Sequence, residues 1–362
     1  MLRSFVENMN PSPTKPKPTP QEIAALKRLA AGIIRAQGNR FVKGLLRANQ
    51  IRIGTNKDEF EANLNAAIDN GDLTLQDVST WLHSVEGWGN QHVYLYSISA
   101  AIQTDLTTAK IQQRVKAAKL DSVWNGESTL AFPDKPELTS ISFNDGVLRL
   151  IWQESSPSWT PDTGKNYQKQ EGLDLYEYRA YRQEDRRAIT RFEVRVSERI
   201  AGLFIPDPIQ GTEHKTAKEE ALNVIAQLMN RTDLERGLMQ IGRVSRNFDQ
   251  DNIPNNTGAP TKVKTQKSKL ISGGSSIEFA ADSPDKAYWE EAAVGNVRVS
   301  VKGPQLRAFP GGDGVFVLQA GYFDLARPLR IQLYASDNRI RLWAQMDVSE
   351  VWSILKELSK HQ

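Results

Sequence analysis

The hydrophobic rhythm of this chain changes near Ser128, and that change limits the folds open to it. Upstream, Ile23, Leu26, Ala30, Ile33 and Ile34 recur at the spacing of one helical face, as do Phe41, Val42, Leu45 and Leu46. Thr55 with Asp58 reads as a helix start, with Phe60, Leu64 and Ile68 as its apolar face and Asn70-Gly71 as its stop. Thr74 with Asp77 opens a helix carrying Val78, Trp81, Leu82 and Val85, and another runs through Leu106, Ile111, Val115 and Ala118. Downstream the signals are those of strands. Residues 141–152 are two short strands around Asp145-Gly146, a pair that turns tightly because both positions tolerate positive φ. Residues 173–182 and 189–200 read as a second hairpin with a polar turn over 183–187, and a further strand follows over 203–205. Thr216 with Glu219 starts an amphipathic helix. Strands are expected over 297–301, 315–320, 329–334 and 339–345, and Asp347 with Glu350 caps a last helix.

This pattern predicts an α+β protein: an N-terminal helical domain followed by a β-sheet-rich domain with amphipathic helices. The expected parts are a basic Pro-rich arm over 1–19 and a helical domain over 20–122. A hairpin-plus-helix domain follows over 128–244, then a basic flexible linker over 245–276, and then a sheet with a C-terminal helix over 277–362. Residues 145–153 (DGVLRLIWQ) and 337–345 (DNRIRLWAQ) look alike, which raises a duplicated sheet-plus-helix unit.

Charge is segregated along the chain. The first 57 residues hold eleven Lys or Arg against two acids, whereas residues 58–100 hold seven acids and no Lys or Arg. A cationic segment of that kind attracts phosphates. The absence of cysteine excludes disulfides and thiolate metal sites. No apolar run is long enough to span a bilayer and no secretion signal opens the chain, so no membrane partner is expected. The expected location is the cytoplasm, or the nucleus in a eukaryotic cell.

The cationic segment contains FVKGLLRANQIRIGTNKDEFEANL over residues 41–64, which reads as helix, extended loop, helix. It resembles the SAP motif, a small helix–extended–helix DNA-binding unit. Leu45 and Leu46 match that family's first helix, Ile51 its loop position, and Lys57, Glu59, Phe60 and Leu64 its second helix. Gln50 stands where the family has Gly, the loop glycine Gly54 is one position early, and Asn63 replaces a common Arg. The resemblance implies DNA contact. The residues agree on physical grounds. Arg40, Lys43 and Arg47 are spaced to share one helix face, with Arg52 in the loop. Thr55 and Lys57 sit at a helix N-terminus, where free N–H groups favour an anion. Lys262, Lys264, Lys267 and Lys269 form a second basic element with no acid between Asp251 and Glu278.

Other residues read as structural. The aromatic stretch 86–96 is expected to be a turn and a packed element rather than a site at Trp88 and His92. The four histidines match no metal-ligand spacing, so neither metal nor cofactor is expected. Asp207, Glu213 and Lys215 are the residue types of a metal-dependent nuclease, although Glu213 is equally explained by a helix start. Arg186, Arg187, Arg191, Arg195 and Arg199 cluster around Glu193, which is expected to neutralise part of them. The function expected is therefore non-catalytic: a sequence-tolerant DNA-binding or adaptor protein whose C-terminal region docks a protein partner. The alternatives are an assembly subunit without nucleic-acid contact, or a nuclease.

Overall fold

The computed structural model describes residues 18–126, 132–207, 213–251, 261–269, 276–280, 290, 312–321 and 323–362. The chain forms two compact units, Met1–His83 with Ser158–Arg186, and Ser84–Pro157 with Arg187–Gln362. The α+β class holds. The expected helical domain over 20–122 is divided, however, since residues 84–122 belong to the second unit. The expected arm lies outside the described residues apart from Pro18 and Thr19.

In the first unit α1 (Pro20–Leu29) starts with a complete Thr19–Glu22 capping box and Pro20 at its first position. It runs on into a π turn, Ala30–Ile34. There Gly32 admits the backbone of Asp185, which a Cβ would meet at 3.2 Å. Then come α2 (Asn39–Ala48), α3 (Lys57–Asn70) and α4 (Leu75–Val85). Gly71 ends α3 at φ +78, the left-handed conformation that a C-terminal stop requires. Leu26, Ile34, Leu46, Phe60, Leu64 and Ile68 are buried, and each side chain contributes about 1.5–3 kcal/mol by leaving water.

The second unit is built on a ten-stranded sheet. Its strands are β1 (Gly89–Ser97), β2 (Glu137–Asn144), β3 (Val147–Pro161), β6 (Tyr181–Arg195) and β7 (Ile200–Pro206). They continue with β8 (Thr261–Lys269), β9 (Ser276–Ala280), β10 (Gly312–Leu318), β11 (Leu329–Tyr334) and β12 (Arg339–Gln345). The order is β2-β3-β6-β7-β1-β12-β11-β10-β8-β9. The far ends of β3 and β6 extend into the first unit, where β4 (Tyr167–Glu171) and β5 (Asp174–Tyr178) form a separate hairpin. Alternation along β1 sets the two cores. Val93 and Leu95 face a cluster with α9 (Ile241–Asp251) and α10 (Val348–Ser359). Tyr94 and Tyr96 face one with α5 (Ala100–Asp105), α6 (Thr108–Ala117), α7 (His214–Ile225) and α8 (Arg231–Arg236). At Gly89 a β-bulge brings the backbone of Ala344 and Met346 where a Cβ would sit.

Several expectations change. The segment read as a linker over 245–276 holds the end of α9, all of β8 and the first residue of β9. Thr261, Val263 and Thr265 supply β-branched residues at alternate positions, and this outweighs the polar composition. Residues 183–187 do not turn. They continue β6, because their charges find partners: Glu184 with Arg182, Asp185 with Arg28, and Arg187 with Glu86. The turn comes instead between Arg195 and Ile200. α7 starts at His214 with Glu213 as N-cap, ahead of Thr216. The strand expected over 297–301 lies outside the described residues. The look-alike segments do not occupy equivalent positions. Outward from β1 the order runs β7-β6-β3-β2 one way and β12-β11-β10-β8 the other, so β12 corresponds to β7 and not to β3. Both β7 and β12 are followed by an amphipathic helix, α7 and α10.

Candidate functional site

The residues expected to contact DNA fall on α2, the segment after it, and the start of α3. The turn between them is closed by backbone bonds: Gln50 N–H donates to the Arg47 carbonyl (3.1 Å) and Ile51 N–H to the Leu46 carbonyl (2.8 Å). Gln50 takes φ +57, the conformation a glycine would supply there. Residues 51–56 then run without regular structure, with Arg52 and Ile53 exposed. Asn63 Nδ2 holds this segment through the Arg52 carbonyl at 2.9 Å.

The start of α3 differs from expectation. Its cap is Asn56, whose Oδ1 accepts from Glu59 N–H at 2.9 Å. Glu59 in turn folds back and accepts from the Thr55 N–H (2.8 Å) and hydroxyl (3.1 Å). The Thr55 donors therefore face a carboxylate, and Lys57 Nζ donates to the Arg35 carbonyl at 2.8 Å. Sequence reasoning placed the cap one residue early because Thr55 and Asn56 are both capping types.

The cations of this unit sort into two sets. Lys27 pairs with Asp69 (2.7 Å), Arg28 with Asp185 (2.6 Å), and Arg35 with Asp58 (2.7 Å) and Glu61 (2.8 Å). Along α2 and the loop, Arg47 and Arg52 differ from these. Arg40 lies 4.2 Å from the centre of the Phe41 ring and Lys43 lies 5.8 Å from that of Phe60. Arg47 and Arg52 are exposed and have no acidic partner among the described residues. Lys262, Lys264, Lys267 and Lys269 lie on β8 in the second unit, with Lys262 opposite Val317 and Lys267 opposite Asp313. The structure thus brings Arg40, Lys43, Arg47 and Arg52 to one helix–loop segment, and it does not gather the β8 lysines into the same unit.

The second unit holds a polar cluster that the sequence did not reveal. His92 on β1, Asp207 after β7, His214 at the start of α7 and Arg341 on β12 converge there. Arg341 donates to His92 Nε2 and Asp207 Oδ1, and its Nη2 reaches Asp207 Oδ2 at 2.7 Å. The His92 and His214 rings stand edge to face at 4.0 Å. Burial, then the neighbouring His214, Arg341 and Arg339, pushes His92 down to about 3, so its imidazole is neutral. Burial also lowers His214, and the hydrogen bonds from Arg341 lower Asp207. One donor atom from each of His92, Asp207 and His214 lies within 4.8 Å of the others, a set of types that suits a divalent metal. The Arg341 guanidinium is the cation bound at two of those three donors. No short-range spacing announces this group, because its members come from four separate elements. Nor are Asp207, Glu213 and Lys215 assembled: no hydrogen bond or ion pair joins Asp207 to either among the described residues.

Glu193 pairs with one of the clustered arginines, Arg195, and with Arg149 of β3. Arg149 Nε and Arg195 Nε reach its carboxylate at 2.8 and 3.0 Å. Arg191 is buried 4.0 Å from the Trp88 ring centre, and Trp88 and His92 are both packed in the interior. A different surface stands out in the first unit. Of nine exposed large hydrophobic residues among those described, seven lie between Trp159 and Tyr181, on and beside the β4–β5 hairpin. Leu173 at its tip is fully exposed, and Tyr167 stacks on Tyr178 at 4.7 Å.

No protein-family model matches this chain, and a search of curated proteins finds no relative.

Proposed function

We propose that the first unit is a non-catalytic, sequence-tolerant nucleic-acid-binding module, with duplex DNA as its expected ligand. The observation that carries this reading is the sorting of its cations: Lys27 and Arg28 of α1 and Arg35 after the π turn are paired with acids, whereas Arg47 and Arg52 are left to solvent. Arg40 and Lys43 extend the same segment along α2. Such a surface neutralises phosphates and carries no pair of side chains arranged to read base edges. Thr55 and Lys57 are no part of this interface, since Glu59 and the Arg35 carbonyl hold them. Reversing the two exposed charges (Arg47→Glu with Arg52→Glu) weakens binding to a fluorescent DNA duplex by about tenfold or more at low salt. Unchanged anisotropy curves for a well-folded double variant would refute the assignment.

A second reading, a protein-assembly role for the same unit, is favoured by one observation, the exposed aromatic hairpin. Both of its cations are held by its own acids, Lys169 by Glu171 and Arg179 by Glu177, and Asp174 adds a further negative charge, so it offers an aromatic surface suited to protein rather than phosphate. Under this reading, replacing residues 166–179 by a short Gly-Ser turn abolishes partner capture from nuclease-treated extract while DNA affinity stays unchanged.

A further inference from the structure

A cavity of about 450 Å³ lies in the second unit between α7 and the strands it covers, a volume in the range of small-molecule sites. Its walls are mainly apolar. Trp152 of β3, Leu138 of β2, Ile205 of β7 and Val224 of α7 line it. Two carboxylates break this apolar lining, Glu154 from β3 and Glu220 from α7. They lie close enough for the Glu220 charge to add to burial in raising the proton affinity of Glu154. Neither glutamate has an ion-pair or hydrogen-bond partner among the described residues. Lys135 is the cation at the rim, and it too pairs with no acid there.

Beside this aromatic and aliphatic wall, the half-buried Glu154 and the exposed Glu220 present negative charge with no counter-ion among the described residues. Elsewhere in this unit Glu86 and Glu193, which are more deeply placed, have cations: Arg187 for the first, Arg149 and Arg195 for the second. From this contrast we propose that the cavity binds a small organic amine, with its apolar body against Trp152, Ile205 and Val224 and its ammonium between Glu154 and Glu220. The ammonium donates to the two carboxylates, and the Trp152 face adds a cation–π attraction where the rings permit. The site belongs to the second unit, so it stands or falls independently of the DNA reading.

The test is isothermal titration of the full chain with phenethylamine, with 2-phenylethanol and with 3-phenylpropionate, three probes of like shape and different charge. The amine binds at least about tenfold tighter than the alcohol, as expected for a charge-assisted hydrogen bond, and the carboxylate binds weakest. In a Glu154→Gln with Glu220→Gln variant the amine loses that advantage, while the alcohol is unaffected. Val224→Trp, which fills the cavity from the half-exposed side of α7, removes binding of all three probes. Circular dichroism checks that each variant is folded. Equal affinity for amine and alcohol, no binding of any probe to the wild-type chain, or an amine preference that survives the double substitution would overturn the proposal.

Discussion

At the residue scale the account rests on single side chains that sit where elementary chemistry disfavours them unless something compensates. Gln50 holds φ +57 to let α2 turn sharply into the extended segment. An L-residue with a Cβ costs about 1 kcal/mol in that conformation. Gln50→Gly therefore raises the unfolding free energy by about 0.5–1 kcal/mol in urea titration and leaves DNA affinity unchanged. His92 is a second case. Its folded-state value of about 3 lies below the ordinary histidine value of about 6.5 expected when unfolded. Between those values the unfolded chain takes up a proton that the folded chain refuses, so stability is full above about pH 6.5 and falls as the pH drops toward 3. His214 shifts in the same direction and steepens the loss. Thermal melts of His92→Gln from pH 7 to pH 4 show a shallower decline than wild type, by up to about 1.4 kcal/mol per pH unit. Identical slopes would mean that His92 titrates normally in the folded protein.

At the element scale the start of α3 decides how the proposed interface would work. A helix N-terminus is ordinarily an anion site, yet here Glu59 occupies the donors that a phosphate would use. The arrangement stabilises the helix and holds a carboxylate at Thr55, three residues along the chain from Arg52. Glu59→Gln removes a negative charge that repels phosphate and strengthens DNA binding about two- to threefold in the same anisotropy assay, opposite in sign to the Arg47 and Arg52 reversals. The elements themselves were largely legible in the sequence. Capping pairs placed the starts of α4 and α10 well: Thr74 with Asp77 and Asp347 with Glu350 both make the expected bonds. Asp145-Gly146 turns at φ +52 and +73, as that dipeptide demands. What misled was polarity taken as a sign of a loop. Residues 183–187 and 261–269 are charged and yet extended; over 183–187 counter-charges meet the strand, Arg28 at Asp185 and Arg182 at Glu184.

At the scale of the whole molecule, sequence order and spatial order part company. β1 comes early in the chain but pairs with β7 on one side and β12 on the other, more than 100 and 240 residues onward. Register of that range leaves no local trace, which is why His92, Asp207, His214 and Arg341 could not be read as a group from spacing alone. The same holds for the first unit, which takes Ser158–Arg186 from the middle of the sheet-forming region. The proposed interface segment, by contrast, is contiguous, so the charge and helical spacing of Arg40, Lys43, Arg47 and Arg52 could be read from the sequence. Its pairing pattern was not: only the folded unit reveals that Lys57 is engaged and Arg47 is not. The central claim is that these four cations bind a polyanion, and the most direct measurement of it is the salt dependence of duplex DNA affinity for the full chain. A plot of log K against log salt falls with a slope between about −3 and −4 for four phosphate contacts, and the Arg47→Glu, Arg52→Glu variant loses about 2 from that slope. A flat plot, or a slope that the variant leaves unchanged, would contradict the account.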